Sequence, residues 1–218
     1  MNQYRCVICK KIAVVLCAVP AMAFGECPIF PADNIWNAPV NQLPVDTRSS
    51  AYIQSIGSNT GLHPDFGSGV WDGGPIGIPF NTVFSTQPKV PIAFDYADES
   101  DSGPYPIPSQ PLIEHGSDHH LLIVDKDRCL LYETWDTRQD ANNSWQAGSG
   151  AIFDLRSNAL RPSGWTSADA AGLPILPGLA RCEELAAGSI KHALRFTAQR
   201  TQRKYVWPAR HYASSITD

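Results

Sequence analysis

The chain has 218 residues, of which 43% are hydrophobic, and a formal net charge of −4 from 17 Lys and Arg against 21 Asp and Glu. This length suits one domain with a hydrophobic core and is short for two. The acidic balance argues against a nucleic-acid partner, which needs a basic surface, and mildly against a polyanionic polysaccharide.

The N-terminus predicts a secretory signal peptide over residues 1–23. Arg5, Lys10 and Lys11 give a positive n-region, "IAVVLCAV" a short apolar h-region, and "AMA" a small-residue cleavage site. The remaining residues, 24–218, are predicted to form a single domain with no later membrane span. We therefore expect a secreted or periplasmic monomer without membrane attachment.

Three cysteines lie beyond this segment: Cys27, Cys129 and Cys182. An exported protein meets an oxidising environment, so one disulfide and one thiol is the expected count. The sequence does not fix the pairing. We favour Cys27–Cys129, which would tie the mature N-terminus to a strand. The absence of any CxxC pair argues against a structural zinc site.

Proline and glycine punctuate the whole chain, which favours many short elements. A short helix is predicted in "SSAYIQSIG" and a second in "LARCEELAAG", each ended by its glycine. Strands are predicted, in chain order, near 77–84, 89–96, 119–125, 128–135, 150–155, 190–198 and 204–213. The pattern predicts a mostly β fold: a single-domain antiparallel β-sandwich of jelly-roll type, with long loops and one or two short helices. A closed barrel is the alternative.

The stretch "HHLLIVDKDRCLLYE" predicts a hairpin that turns at residues 126–127. In that register His120 lies opposite Glu133, and Asp125 lies opposite Arg128 as an ion pair. His120 and Glu133 would then stand at the rim of an apolar floor formed by alternate residues of both strands. A slip of one residue would exchange the faces.

A second histidine, His192, begins an alternating apolar row in the predicted strand 190–198, and we expect it on the same rim as His120 and Glu133. A histidine beside a carboxylate can act as general acid or base. Two histidines and one carboxylate, here His120, Glu133 and His192, can alternatively bind a transition metal. The plain alternative is that His120 and Glu133 only satisfy each other at the edge of a sheet.

Two acidic loops offer further candidates. Asp65, in "GLHPDFGSG", lies in a Gly/Pro loop before a strand and is a candidate second carboxylate, although Pro-Asp-x-Gly is also ordinary turn chemistry. Asp95, Asp98 and Asp101 have oxygen ligands at a spacing that can hold Ca²⁺ outside the cell. A solvated acidic loop is the alternative there.

Large aromatic residues are frequent, and exposed aromatic faces stack on sugar rings. Trp71, Trp145 and Trp135 are the candidates for substrate binding because polar residues or glycine surround them. Arg195 or Arg210 would supply a positive group for a uronate substrate.

Three stretches, "CPIFPADNIWN", "GWTSADAAGLPILPGL" and "YVWPARHYAS", resemble a family of secreted bacterial proteins of uncharacterised activity. The similarity covers nearly the whole mature chain. It implies an exported single domain, and it supplies neither a substrate nor catalytic residues. Cys182 departs from the pattern of the family, in keeping with its being the unpaired thiol.

The sequence holds no GxSxG, HExxH, P-loop or GxGxxG motif. From the His–Glu pair and the large aromatic residues we predict a carbohydrate-active enzyme, a glycoside hydrolase or polysaccharide lyase. It would cleave an extracellular polysaccharide or oligosaccharide without a cofactor. His120 and Glu133 would transfer protons, His192 would orient the reacting group, and Asp65 would be the second carboxylate. The alternatives are a metal-dependent enzyme of cupin-like logic and a non-catalytic carbohydrate-binding module.

Overall fold

The computed structural model describes residues 27–64 and 66–217. The predicted signal peptide and Asp65 lie outside the described residues. Two α-helices are present in the described part, α1 Ser49–Ile56 and α2 Cys182–Ala187, together with two short 3-10 helices, Ala97–Glu99 and Leu176–Gly178. The strands there are β1 Leu62–His63, β2 Val70–Trp71, β3 Gly74–Pro75, β4 Phe80–Val83, β5 Ile92–Phe94, β6 Leu121–Asp125, β7 Leu130–Trp135, β8 Arg138–Gln139, β9 Trp145–Ala147, β10 Ser149–Asp154 and β11 Thr197–Ala198.

The largest sheet has the strand order β10-β7-β6-β4, and β4 runs parallel to β6 while the other neighbours are antiparallel. A second sheet has the order β5-β9-β8, with β5 parallel to β9, and two pairs, β1–β11 and β2–β3, are separate. The prediction of a β-rich fold with few helices is confirmed. The prediction of purely antiparallel pairing is wrong for β4 and β5.

Strand β6 is buried along its whole length because apolar layers cover both faces of the large sheet. On one face Leu122 and Val124 pack in a cluster with residues of β7, β10 and the irregular segment near residue 175. On the other face Leu121 and Ile123 pack in a cluster with residues of β5 and β9. A continuous apolar run is typical of a strand covered on both sides.

The β6–β7 hairpin has the predicted faces but a different register. Leu122 pairs with Glu133, so the expected pairing of His120 with Glu133 is wrong by two residues. Side chains alternate along a strand with a period of two, and a shift of two therefore keeps every residue on its predicted face. His120 and Glu133 both remain on the face of the first apolar cluster, and both are buried.

The shift arises because the turn takes four residues instead of two. The buried carboxylate of Asp125 accepts the backbone N–H groups of Asp127 (3.1 Å) and Arg128 (3.0 Å). Cys129 completes the turn with a φ of 53°. These bonds stabilise a turn of residues 126–129. The identity of residues 126 and 127 alone does not predict that length. The predicted ion pair between Asp125 and Arg128 is present at 3.3 Å.

The C-terminal strands are largely absent. Of the predicted strand 190–198 only β11 forms, and residues 204–213 form no strand. Leu194 and Phe196, expected in the core, are 44% and 52% exposed. Backbone N–H groups in this stretch donate to carbonyls of other loops and do not pair with a neighbouring strand. The N–H of Ala193, for example, donates to the Trp36 carbonyl at 2.7 Å. The alternation of apolar residues alone does not distinguish a strand paired in a sheet from a segment that packs on loops.

The helices and the disulfide follow the predictions. Helix α1 is followed by Gly57 with a φ of 102°, and helix α2 by Gly188 with a φ of 70°. Cys27 and Cys129 form a disulfide, with a Cα–Cα distance of 5.3 Å. Among the described cysteines, Cys182 lies outside this bond and is exposed. Within the described ranges we find no helix that combines the length and apolarity needed to span a bilayer.

Candidate functional site

A cavity of about 580 Å³ opens where β6 begins and β7 ends, and residues 166–171, 195–198, 201 and 211–213 form much of its other walls. Its aromatic lining residues are Tyr96, Trp135, Phe196 and Tyr212. Its ionisable lining residues are Glu99, Asp118, His120, Asp169, Arg195 and His211. Ligand sites of proteins are typically clefts of about 300–1,000 Å³ with a few convergent polar groups. This cavity is therefore the candidate site.

His120 lies in the cavity wall, but its carboxylate partner is Glu114, which the sequence analysis did not identify. The Nδ1 atom of His120 is 2.5 Å from Oε2 of Glu114, and Nε2 is 3.2 Å from the carbonyl oxygen of Ala168. Burial lowers the pKa of His120, but the hydrogen bond and charge of Glu114 and the charge of Asp118 raise it above its usual value. Both ring nitrogens face acceptors, so the ring is best satisfied as an imidazolium that donates to both.

Glu133 lies behind the cavity wall and is fully buried. Its carboxylate accepts the backbone N–H of Ile175 (2.8 Å) and that of Leu176 (2.9 Å). Burial raises the pKa of Glu133 to about 7, against the opposing effects of these two bonds and of the His120 charge. The geometry makes Glu133 an anchor that holds the start of the 3-10 helix Leu176–Gly178 on the sheet.

Trp135 is the one predicted substrate-binding tryptophan that lines the cavity among the described residues. Its indole is half-buried, and its ring centroid lies 6.4 Å from that of Tyr96. A Cβ at Gly148 would come within 2.2 Å of the indole, so the missing side chain of this glycine lets the ring lie against the backbone. The two rings form one aromatic edge of the cavity.

Arg195 also lines the cavity, as predicted for a substrate-binding residue, and it is paired with Asp169. Its guanidinium Nη2 is 2.8 Å from Oδ2 of the Asp169 carboxylate. The other oxygen of Asp169 accepts the N–H of Ala171 (2.9 Å). These two contacts hold the guanidinium and the carboxylate in place in the cavity wall, where they offer hydrogen-bond donors and acceptors.

A second histidine of the cavity, His211, was not selected from the sequence. Its Nδ1 atom is 2.9 Å from the carbonyl oxygen of Ala170, and its Nε2 atom is 3.9 Å from Oε2 of Glu99. Its ring stacks on that of Tyr212 at a centroid distance of 4.6 Å. His211 lies in the predicted strand 204–213, which does not form, and no pattern of the sequence marked it as a site residue.

The other predicted site residues lie apart from the cavity. His192 does not line it, and its Nε2 is instead 2.9 Å from Oε1 of Glu184. The expectation that His192 shares a rim with His120 fails because the strand that would carry it does not form. Trp71 is 75% exposed in β2, and Trp145 is half-buried in β9 against the second apolar cluster.

Two of the three aspartates predicted as Ca²⁺ ligands form ion pairs with arginines. Oδ2 of Asp95 is 3.1 Å from Nη2 of Arg138, and Asp101 pairs with the buried guanidinium of Arg161. Asp98 is exposed. Across residues 27–64 and 66–217, no group of three His, Cys, Asp or Glu side chains has an arrangement suited to a metal ion.

Comparison of the chain with family models, with curated proteins and with solved structures gave no match.

Replacing Glu133 with alanine should strongly destabilise the fold. The change leaves two buried N–H groups without acceptors, at about 1–3 kcal/mol each, and opens a void beside them. We expect the free energy of unfolding in urea to fall by roughly 3–5 kcal/mol. Glu183→Ala on the exposed side of α2 is the control and should change it by less than about 1 kcal/mol. An equal loss in both variants would contradict the anchoring role.

Stability should also fall as the pH rises. Glu133 has a folded-state pKa of about 7 against an ordinary 4.5, so its contribution is complete below pH 4.5 and is lost as the pH passes 7. The raised pKa of His120 acts in the same direction above pH 6.5. Urea unfolding at pH 5 and pH 8 should show the difference. In Glu133→Gln, which keeps an oxygen acceptor without a charge, the decline should be smaller by up to about 3 kcal/mol; an unchanged decline would refute the assignment.

Proposed function

We propose that the protein is a carbohydrate-active enzyme that cleaves glycosidic bonds of an extracellular polysaccharide or oligosaccharide in this cavity. The observation that carries the proposal is the combination, in one cavity of about 580 Å³, of aromatic rings with carboxylates and histidines. Stacking surfaces and proton-transfer groups are the two things that such a reaction requires of a protein.

The aromatic edge supports the binding part of the proposal. A sugar ring has apolar C–H faces and a polar rim of hydroxyls. Trp135 and Tyr96 offer faces for the former, and the Arg195–Asp169 pair offers donors and acceptors for the latter. This division of an apolar surface with a few placed polar groups is typical of small-molecule sites.

The ionisable lining supports the chemical part of the proposal. Cleavage of a glycosidic bond uses one group that gives a proton to the leaving oxygen and one that activates water or attacks the sugar. Asp118 and Glu99 are carboxylates of the lining that form no ion pair with an arginine in the described part of the chain. Glu133 is buried and does not line the cavity, whereas Asp118, two residues before His120, does. Asp118 therefore takes the place of Glu133 as a candidate carboxylate of the site.

A non-catalytic carbohydrate-binding protein is the second candidate, and one observation favours it. His120 is only 6% exposed with acceptors at both ring nitrogens, and Glu133 is not exposed at all. The pair chosen from the sequence for proton transfer is thus closed off from solvent. Turnover by the purified protein separates the two candidates.

The proposal includes export and a sandwich architecture. The Cys27–Cys129 disulfide supports an oxidising compartment, so we place the protein outside the cytoplasm, secreted or periplasmic. Packing of β5 and β9 residues against one face of the large sheet supports a sandwich of jelly-roll type.

The proposal is tested by incubating residues 24–218 with a panel of neutral and acidic polysaccharides and analysing the products by reducing-end assay and mass spectrometry. Trp135→Ala should weaken binding of the best glycan about five- to tenfold, because a stacked ring contributes roughly 1 kcal/mol or more. Trp71→Ala, equally aromatic but outside the cavity, is the matched control and should bind normally. No cleavage of any glycan would reject the enzyme in favour of the binding protein, and equal loss in both variants would reject the cavity.

A further inference from the structure

We propose that His211 is the proton-transfer residue of the cavity and that Glu99 is its charge partner. The inference rests on the proposed function and deepens it, because it assigns the chemical step to a histidine other than the one chosen from the sequence. Both residues line the cavity, and both side chains are partly exposed, His211 at 21% and Glu99 at 29%.

The tautomer of His211 is fixed by its backbone contact. A carbonyl oxygen can only accept a hydrogen bond, so the contact between Nδ1 and the Ala170 carbonyl at 2.9 Å requires the proton on Nδ1. A neutral ring then carries its lone pair on Nε2. Glu99 Oε2 lies 3.9 Å from that atom, beyond hydrogen-bond distance but close enough to attract a positive charge.

His120 lacks this arrangement. Its Nδ1 faces the Glu114 carboxylate and its Nε2 faces the Ala168 carbonyl, so neither nitrogen presents a lone pair to the cavity. His119 is exposed and does not line the cavity, and its Nδ1 atom lies 3.8 Å from Oδ1 of Asp136. Of these histidines, His211 alone combines a fixed tautomer with a position in the lining.

The position of His211 is built by several contacts. The backbone N–H groups of Arg210 and His211 both donate to the Ala171 carbonyl, at 2.8 and 3.2 Å. Gly172, with a φ of 70°, makes this approach possible, because a Cβ there would lie 2.5 Å from the Trp165 carbonyl oxygen and 2.9 Å from Cβ of Arg210. The stacked ring of Tyr212 fixes the plane of the imidazole.

The step uses two groups of the lining, one on each side of the bond that breaks. Nε2 takes a proton from water, the O–H electron pair stays on the water oxygen, and that oxygen bonds to the anomeric carbon as the bond from this carbon to the leaving oxygen breaks. The leaving oxygen takes its proton from the carboxyl group of Asp118, and Asp118 regains a proton through solvent as the imidazolium of His211 gives up its own. One water is consumed, and His211 returns to its neutral form. Glu99, held by the Thr166 N–H at 3.1 Å, stabilises the imidazolium between these events.

The test compares His211→Gln with His119→Gln. Loss of the base should lower kcat for the glycan that the wild type cleaves by about 100-fold or more, with glycan affinity within about threefold of the wild type. His119→Gln should leave both unchanged. Glu99→Gln should lower kcat more than it weakens glycan affinity, since the imidazolium formed during the step loses its charge partner, whereas loss of a purely structural contact would lower both alike. Circular dichroism verifies that each variant is folded.

A measurement without substrate tests the same inference. Nitrogen-15 NMR of histidine-labelled protein above neutral pH should show the proton of His211 on Nδ1. A proton on Nε2, turnover of His211→Gln within tenfold of the wild type, or an equal loss of affinity and turnover would each overturn the assignment. A wild type that cleaves no glycan refutes the proposed function together with this role, whereas a cleaving wild type with an active His211→Gln refutes this role alone.

Discussion

The carboxylate of Glu133 joins the large sheet to the 3-10 helix that follows one segment of the cavity wall. It projects from the middle of β7 into a fully buried space and accepts the N–H groups of Ile175 and Leu176. Those two residues belong to the first apolar cluster, so the polar contact and the apolar packing fix the same segment. A buried carboxylate is costly unless such donors surround it, and here the backbone supplies them.

The cavity wall follows from this anchor. Residues 166–171 come shortly before the anchored segment, and His120 ties them to the sheet a second time through the Ala168 carbonyl. The same stretch offers its Ala170 and Ala171 carbonyls to the segment around His211. Contacts thus lead from the sheet through one irregular segment to the next, and the cavity lies between them.

The sequence predicted what depends on short-range periodicity and local chemistry. Strand alternation placed His120 and Glu133 on one face, and that assignment survived a register error because the error was an even number of residues. Gly57 and Gly188 end their helices, and the Cys27–Cys129 pairing is confirmed. The strand at 190–198 failed because its alternation is the same whether the segment pairs in a ladder or docks on loops.

The cavity itself could not be read from the sequence, because its contacts are made between loops, whose course the pattern of residues does not predict. Glu114 meets His120 across a loop, and Glu99 meets His211 across more than half of the chain. No spacing rule connects such residues, and nothing in the composition marks two of the six histidines, His120 and His211, as lining a cavity. The bond that orients His211 comes from a backbone carbonyl, which every residue possesses and which therefore leaves no trace in the residue types.

Segments 166–171 and 199–213 contain neither helix nor strand, although they form much of the cavity wall. They take no part in pairing the large sheet, so most side chains of the cavity wall lie outside the strands whose hydrogen bonds hold that sheet. Natural variation can therefore change the outward-facing side chains of the wall at little cost to folding. The chemistry of the wall can therefore change by substitution while the sheet, the disulfide and the buried glutamate stay the same.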